Sequence, residues 1–321
     1  MRPSRGGRAA LLAALAAATV AAGWNARAAA GGRARVARAE RALLAESPAL
    51  LSISPDGRRL LLRAADARGF RLRVAARGGA TLAELPGAEK TVLATWRPDG
   101  GAVAFLADRG GSQEYRPYLW ELASGRVTAL PAPPTRVPQA LAWDPAGARL
   151  AHLVVPRGGP ATLYVVDAAA AAPAREVLRG VERHSGVAWS PDGRRLAAAR
   201  ERPRGEVLAA EAGGRPARVF AARGAEVREL AWRADGRALL AVLRPAGAAF
   251  FQLAQAEPDG GPVRTLAAPD GDVSAPAYLP GGGVAYHLGC DGERSPFVCR
   301  ADGARCRPLV GAGAGADVLG V

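Results

Sequence analysis

Few residues in this 321-residue chain are equipped for covalent chemistry: the histidines His152, His184 and His287, and the cysteines Cys290, Cys299 and Cys306. Nucleophilic catalysis needs a base that the fold brings to its nucleophile from elsewhere in the chain. His184-Ser185 are sequence neighbours, which is not that arrangement, and no Gly-x-Ser-x-Gly elbow occurs. Each histidine falls in or beside an expected strand and carries no catalytic duty in this reading. No Gly-rich phosphate loop opens a helix, and aspartates spaced one per repeat lack the oxygen density of a calcium loop. The expectation is a chain with no catalytic residues, no cofactor and no metal site.

Cys299 and Cys306 flank Asp302-Gly303, a two-residue hairpin signal. The simplest register sets them opposite each other within disulfide reach, with Cys290 left over. That register makes them a hydrogen-bonded pair, whereas a cross-strand disulfide usually prefers the other kind. Metal binding is the rival reading, weakened by the lack of a suitably spaced fourth ligand. For recognition rather than reaction, the richest stretch is Asp108–Arg116. It carries Arg109, Gln113, Glu114, Tyr115 and Arg116, and Tyr and Arg are types that anchor interfaces. The plain alternative is a solvated loop whose tyrosine folds back on its own strands.

The elements that position these residues follow from internal repetition. The segments Ile53-Ser-Pro-Asp-Gly57, Trp96-Arg-Pro-Asp-Gly100, Trp143-Asp-Pro-Ala-Gly147, Trp189-Ser-Pro-Asp-Gly193, Trp232-Arg-Ala-Asp-Gly236 and Tyr278-Leu-Pro-Gly-Gly282 are copies of one unit. Their last glycines lie 43, 47, 46, 43 and 46 residues apart. In the consensus of these copies an apolar strand ends in a large side chain, Pro presets φ, Asp bonds local backbone and Gly takes the positive-φ position. A second strand returns. A second turn, such as Arg77-Gly-Gly79 or Ala123-Ser-Gly125, then joins a third strand to a fourth, as at Thr81–Leu85, Arg126–Leu130 and Cys306–Val310. Six units of four short strands predict an all-β, six-bladed β-propeller of four-stranded antiparallel blades over residues 48–310. The recurring tryptophans are read as blade packing. The Asp108–Arg116 loop then falls on the face shared by the loops after second and fourth strands.

The flanks read differently. Arg2, Arg5 and Arg8 precede an uncharged apolar run, Ala9–Gly23, and then Ala26-Arg27-Ala28. This is the layout of a cleavable export signal over residues 1–28. Fifteen helical residues reach only about 22 Å, short of the roughly 30 Å hydrocarbon core, which disfavours a permanent span; an uncleaved anchor is the lesser alternative. A periplasmic or secreted protein is expected, with no stable membrane span after cleavage. Residues 29–47 are compatible with a short helix leading into blade 1. Residues 311–321 are Gly/Ala-rich and end in Val318-Leu-Gly-Val321, either to pack against the first blade or to fray. Either terminal segment is a candidate to supply an edge-covering strand.

The net charge of +14 rests on arginines scattered among alanine and glycine, with Lys90 the single lysine. Nucleic-acid grooves cluster basic residues among aromatics, so nucleic acid is not expected as a partner.

Trp189-Ser-Pro-Asp-Gly-Arg-Arg-Leu196 resembles the strand–turn–strand signature of TolB-like and WD-like propellers, and of the N-terminal propeller of prolyl oligopeptidase family serine peptidases. The layout of Phe105–Trp120 is similar to the peptidase propellers. The resemblance covers roughly residues 48–310 and implies the fold. The peptidases' hydrolase domain has no counterpart in these residues, so there is no residue onto which their catalysis carries over. The expected function is an exported, non-catalytic propeller that binds a protein or peptide partner in the cell envelope. The alternative is the substrate-gating propeller of a prolyl-oligopeptidase-like enzyme lacking its hydrolase domain. A third reading, lyase or hydrolase activity in the channel, lacks a visible acid/base pair.

Overall fold

A computed structural model describes residues 49–309, apart from 67–68, 86–89, 170–171, 212–213, 259–260, 280–281 and 291–292. The export signal, the 29–47 lead-in and the 311–321 tail lie outside the described residues. Blade 1 comprises β1 (Ala49–Ile53), β2 (Arg59–Asp66), β3 (Gly69–Ala76) and β4 (Thr81–Glu84). Blade 2 comprises β5 (Lys90–Trp96), β6 (Ala102–Asp108), β7 (Arg116–Glu121) and β8 (Val127–Ala129). Blade 3 is β9 (Leu141–Trp143), β10 (Arg149–Val154), β11 (Ala161–Asp167) and β12 (Arg175–Val181). Blade 4 is β13 (Val187–Trp189), β14 (Arg195–Ala199), β15 (Glu206–Glu211) and β16 (Ala217–Ala221). Blade 5 runs through β17 (Glu226–Trp232), β18 (Leu239–Arg244), β19 (Gln252–Ala256) and β20 (Arg264–Ala267). Blade 6 runs through β21 (Asp272–Tyr278), β22 (Val284–Cys290), β23 (Glu293–Cys299) and β24 (Arg307–Pro308). Every sheet takes four consecutive strands in sequence order. The six sheets form a ring, a six-bladed β-propeller, with no helix among the described residues.

Side chains alternate across a strand, so each blade has a face for the blade before it and a face for the blade after it. Among the described residues the core is accordingly five separate packets. Leu61, Val74, Trp96 and Phe105 join blades 1 and 2, and Ala104, Leu119, Trp143 and Leu150 join blades 2 and 3. Leu153, Leu163, Trp189 and Leu196 fill the next interface, followed by Val207, Phe220, Val227 and Leu239. Leu240, Phe251, Val273 and Tyr286 fill the one between blades 5 and 6. A strand with a neighbour on both faces has no solvent side, and β6 is buried at every position.

The repeated turn also fastens each blade to the next. At Gly57, Gly100, Gly147 and Gly193 φ is +68°, a value that suits glycine alone at little cost. In blades 1, 3 and 4 the residue after the large apolar position is Ser54, Asp144 or Ser190. Its side-chain oxygen accepts the backbone N–H of Arg59, Arg149 or Arg195, at 2.8, 3.0 and 2.9 Å. Those guanidinium groups lie over the tryptophan of the following blade: Arg59 over Trp96 at 5.0 Å, Arg149 over Trp189 at 4.8 Å and Arg195 over Trp232 at 5.4 Å. Arg59 also donates to the Gly100 carbonyl, 2.9 Å.

In blades 2 and 5 the two positions exchange roles. Arg97 and Arg233 follow the tryptophan and bond their own Asp99 and Asp235 at 2.9 and 2.8 Å, and alanines (Ala102, Ala238) stand where blades 1, 3 and 4 have arginine. The Arg97 stem still reaches forward, lying so close to Gly147 that a Cβ there would sit 3.0 Å from its Cγ.

In blades 1, 2 and 6 the fourth strand is shorter than the sequence implies, reduced in blade 6 to Arg307–Pro308. An outermost strand has one paired edge, and the chain must leave it to return to the ring's centre. Cys299 and Cys306 are bonded, S–S 1.98 Å, across this last hairpin, where Val298 faces Arg307.

Candidate functional site: a proline-lined groove beside the 108–116 loop

Asp108 ends β6 and builds the loop that follows. Its buried carboxylate accepts the N–H groups of Gln113 (2.9 Å), Gly110 (3.2 Å) and Ser112 (3.2 Å). Burial opposes ionisation, but these hydrogen bonds together outweigh it and hold the carboxyl below its ordinary value. Gln113 takes a left-handed φ of +59° as the chain wraps this anion.

The five residues singled out in the sequence take different places around the loop. Arg109 lies over the Tyr118 ring, 4.4 Å from its centroid, and that ring stacks on Phe105. Tyr115 is 8% exposed, and its backbone exchanges two 2.8 Å hydrogen bonds with Thr135. Its ring therefore belongs to the blade, and Arg109, Gln113 and Arg116 are the exposed members. Glu114 pairs with Arg136 at 3.7 Å.

Glu114 also opens onto a groove of about 460 Å³ where blades 2 and 3 meet. Its walls are Pro133, Pro134, Pro156, Pro160 and Tyr164, with Arg136, Arg157 and Arg179 as cations around it. Arg179 is held by Glu176 through two bonds of 3.0 and 3.1 Å. Arg157 is exposed and has no ion pair among the described residues. Proline fixes φ and carries no N–H, so these walls are stiff and present apolar rings and carbonyls. Beneath them His152 is buried, with its Nε2 3.2 Å from the Pro133 carbonyl; burial pushes its pKa down to about 4, and the imidazole is neutral.

None of these wall residues stood out in the sequence, although one signal was there. The connection from blade 2 to blade 3, 130–140, is a proline-rich crossing of eleven residues where the other described crossings take four or five.

His184 is exposed, 3.4 Å from the Gln139 side chain. Ser185 donates to the Gly186 carbonyl and accepts from the Ala199 N–H. His287 lies on β22 between Ser274 and Pro296. A second cavity, about 520 Å³, lies between Glu182–His184 and Glu201–Arg204. Glu182 is buried there, which raises its carboxyl pKa, and Arg204 is 3.5 Å away. No cluster of three or more metal-ligating side chains occurs among the described residues, and no described helix is long and apolar enough to cross a membrane.

Fold and groove together define a β-propeller with a preformed recess on its loop face, and solved structures of that class resemble it. TolB from Acinetobacter baumannii aligns at TM-score 0.53 and 18% identity, over 80% of this chain and 61% of that one. The chain thus spans about three fifths of that TolB. The β-propeller domain of the Trilobed protease from Pyrococcus furiosus, described as having an open velcro topology, aligns at 0.57 and 15% over 78% of this chain and 80% of that one. An oligogalacturonate lyase in complex with manganese aligns at 0.60 and 16%, over 80% and 75%. At such identities the likeness is one of fold. No protein-family model and no curated protein matches the sequence.

Proposed function

We propose that this chain is an exported, non-catalytic propeller that holds a protein or peptide partner of the cell envelope in the groove between blades 2 and 3. The observation that carries this reading is a stiff apolar recess with the unpaired cation of Arg157 at its rim. A recess that is already formed spares the ordering cost of binding, and an exposed arginine fixes the orientation of an acidic group. The export layout of residues 1–28 supports the compartment.

The test is photo-crosslinking from position 116 in the envelope fraction, with and without Arg157→Glu. A single partner that loses at least ~10-fold in yield on charge reversal, about 1.4 kcal/mol, supports the groove. Labelling that ignores the reversal removes it.

The second reading is the propeller of a prolyl-oligopeptidase-like protease whose hydrolase domain resides elsewhere. The likeness to a protease's propeller domain favours it. A crosslinked partner bearing a hydrolase domain decides for this reading.

A further inference from the structure

The five core packets join blades 1 to 2, 2 to 3, 3 to 4, 4 to 5 and 5 to 6. Among the described residues no such packet joins blade 6 to blade 1. The turn clasp stops at the same place. Five successive junctions set an arginine of one turn (Arg59, Arg97, Arg149, Arg195, Arg233) before an aromatic of the next blade (Trp96, Trp143, Trp189, Trp232, Tyr278). At the sixth the matching residues are Gly283 and Ile53, neither cation nor aromatic.

The register shows which side chains are left. On blade 1, Leu50 faces Leu62 and Ile53 faces Leu60, on the side away from blade 2. All four are only half-buried. The residues matching Leu60 in blades 2 to 5, namely Val103, Leu150, Leu196 and Leu239, are 0–1% exposed. On blade 6, Ala285 faces Val298 and His287 faces Pro296, on the side away from blade 5, and these too are half-buried. Leu309 continues that side, bonded to the Pro296 carbonyl at 2.8 Å, and is 47% exposed. Leu82, on the outer strand of blade 1, is 57% exposed. Two of the three large hydrophobics exposed among the described residues thus stand on the outer edges of blades 1 and 6.

We infer that residues 310–321 of this chain dock between blades 6 and 1 and complete the ring. The segment leaves from β24, the outer edge of one wall. Crossing a four-stranded blade from outer to inner strand covers roughly 14 Å, and twelve extended residues reach about 40 Å. Its sequence, Val-Gly-Ala-Gly-Ala-Gly-Ala-Asp-Val-Leu-Gly-Val, is small-residued enough to lie between two sheets and brings Val318, Leu319 and Val321 to the uncovered leucines.

Charge selects this occupant over the 29–47 lead-in. The blade 1 wall presents Arg71 and Arg73, 2.9 and 3.5 Å from Glu84, and Arg307 stands on blade 6. Asp317 is the one charged side chain of segment 310–321, whereas the lead-in carries four arginines, Arg33, Arg35, Arg38 and Arg41, against two glutamates, Glu40 and Glu46.

The experiment places a photoreactive residue at Leu62 in the full chain and maps the crosslinks by mass spectrometry. The expected product has monomer mass and joins position 62 to residues 310–321; Leu319→Asp abolishes it. Hydroxyl-radical footprinting of the chain without the probe gives an independent reading: ending the chain at Leu309 raises oxidation of Leu62, Val298 and Leu309 several-fold. Crosslinks to 29–47, a product of dimer mass, or footprints identical in the full and shortened chains overturn the assignment.

Discussion

His152 shows what one buried side chain contributes. Its imidazole gives up hydration and keeps one bond to the Pro133 carbonyl, and burial pushes its pKa from 6.5 down to about 4. As pH falls, the unfolded chain takes up this proton before the folded one does. The stabilisation is therefore complete above about pH 6.5 and drains away towards pH 4. The shift is worth about 3 kcal/mol. Denaturant midpoints at pH 7 and pH 4.5 check it: the native chain loses stability over that interval, and His152→Gln loses less of it. The sequence showed a histidine in a strand with no partner in view, because its partner is a proline carbonyl nineteen residues away. Tyr115 carries the same lesson. Its type suited an interface or packing back on its own blade, and the partner that decides, Thr135, sits on the crossing that leaves the fourth strand.

At the scale of elements the sequence was far more legible. A turn that recurs six times reports its own geometry through Pro, Asp and Gly, and strand alternation reports the faces. The exchange between the two clasp positions is also visible in the letters: serine or aspartate with arginine in blades 1, 3 and 4, and arginine with alanine in blades 2 and 5. What the guanidinium reaches for required the structure, since the receiving tryptophan belongs to the next blade. In blades 4 and 5 that tryptophan also donates its indole N–H backwards, from Trp189 to Ala142 at 3.0 Å and from Trp232 to Ala188 at 3.1 Å. Arg195→Ala should cost about 1 kcal/mol through the lost cation–π contact. A double-mutant cycle with Trp232→Leu should show the two changes to be non-additive; full additivity would mean that the clasp carries no energy of its own. Gly186 tests the same junction from the backbone. Its N–H donates to the Arg228 carbonyl, and a Cβ would lie 2.8 Å from that oxygen, so Gly186→Ala should lower stability by about 1–3 kcal/mol.

For the whole molecule, the number and kind of blades followed from composition and repeat, while the groove and the missing sixth packet did not. The groove depends on how the long 130–140 crossing folds over the junction of blades 2 and 3, and the sixth interface on the point where the chain meets itself, since a repeat carries no information about its own ends. Because every sheet is made of four consecutive strands and every described core packet lies between consecutive blades, this ring is physically a line that has been bent round. Its energetics are then those of a one-dimensional array, a sum of blade and nearest-neighbour terms. Such an array can assemble in the direction in which the chain emerges. Each new blade finds its whole interface already waiting on the one before, and a chain interrupted after blade 4 is left as a shorter arc with two bare faces, one on blade 1 and one on blade 4.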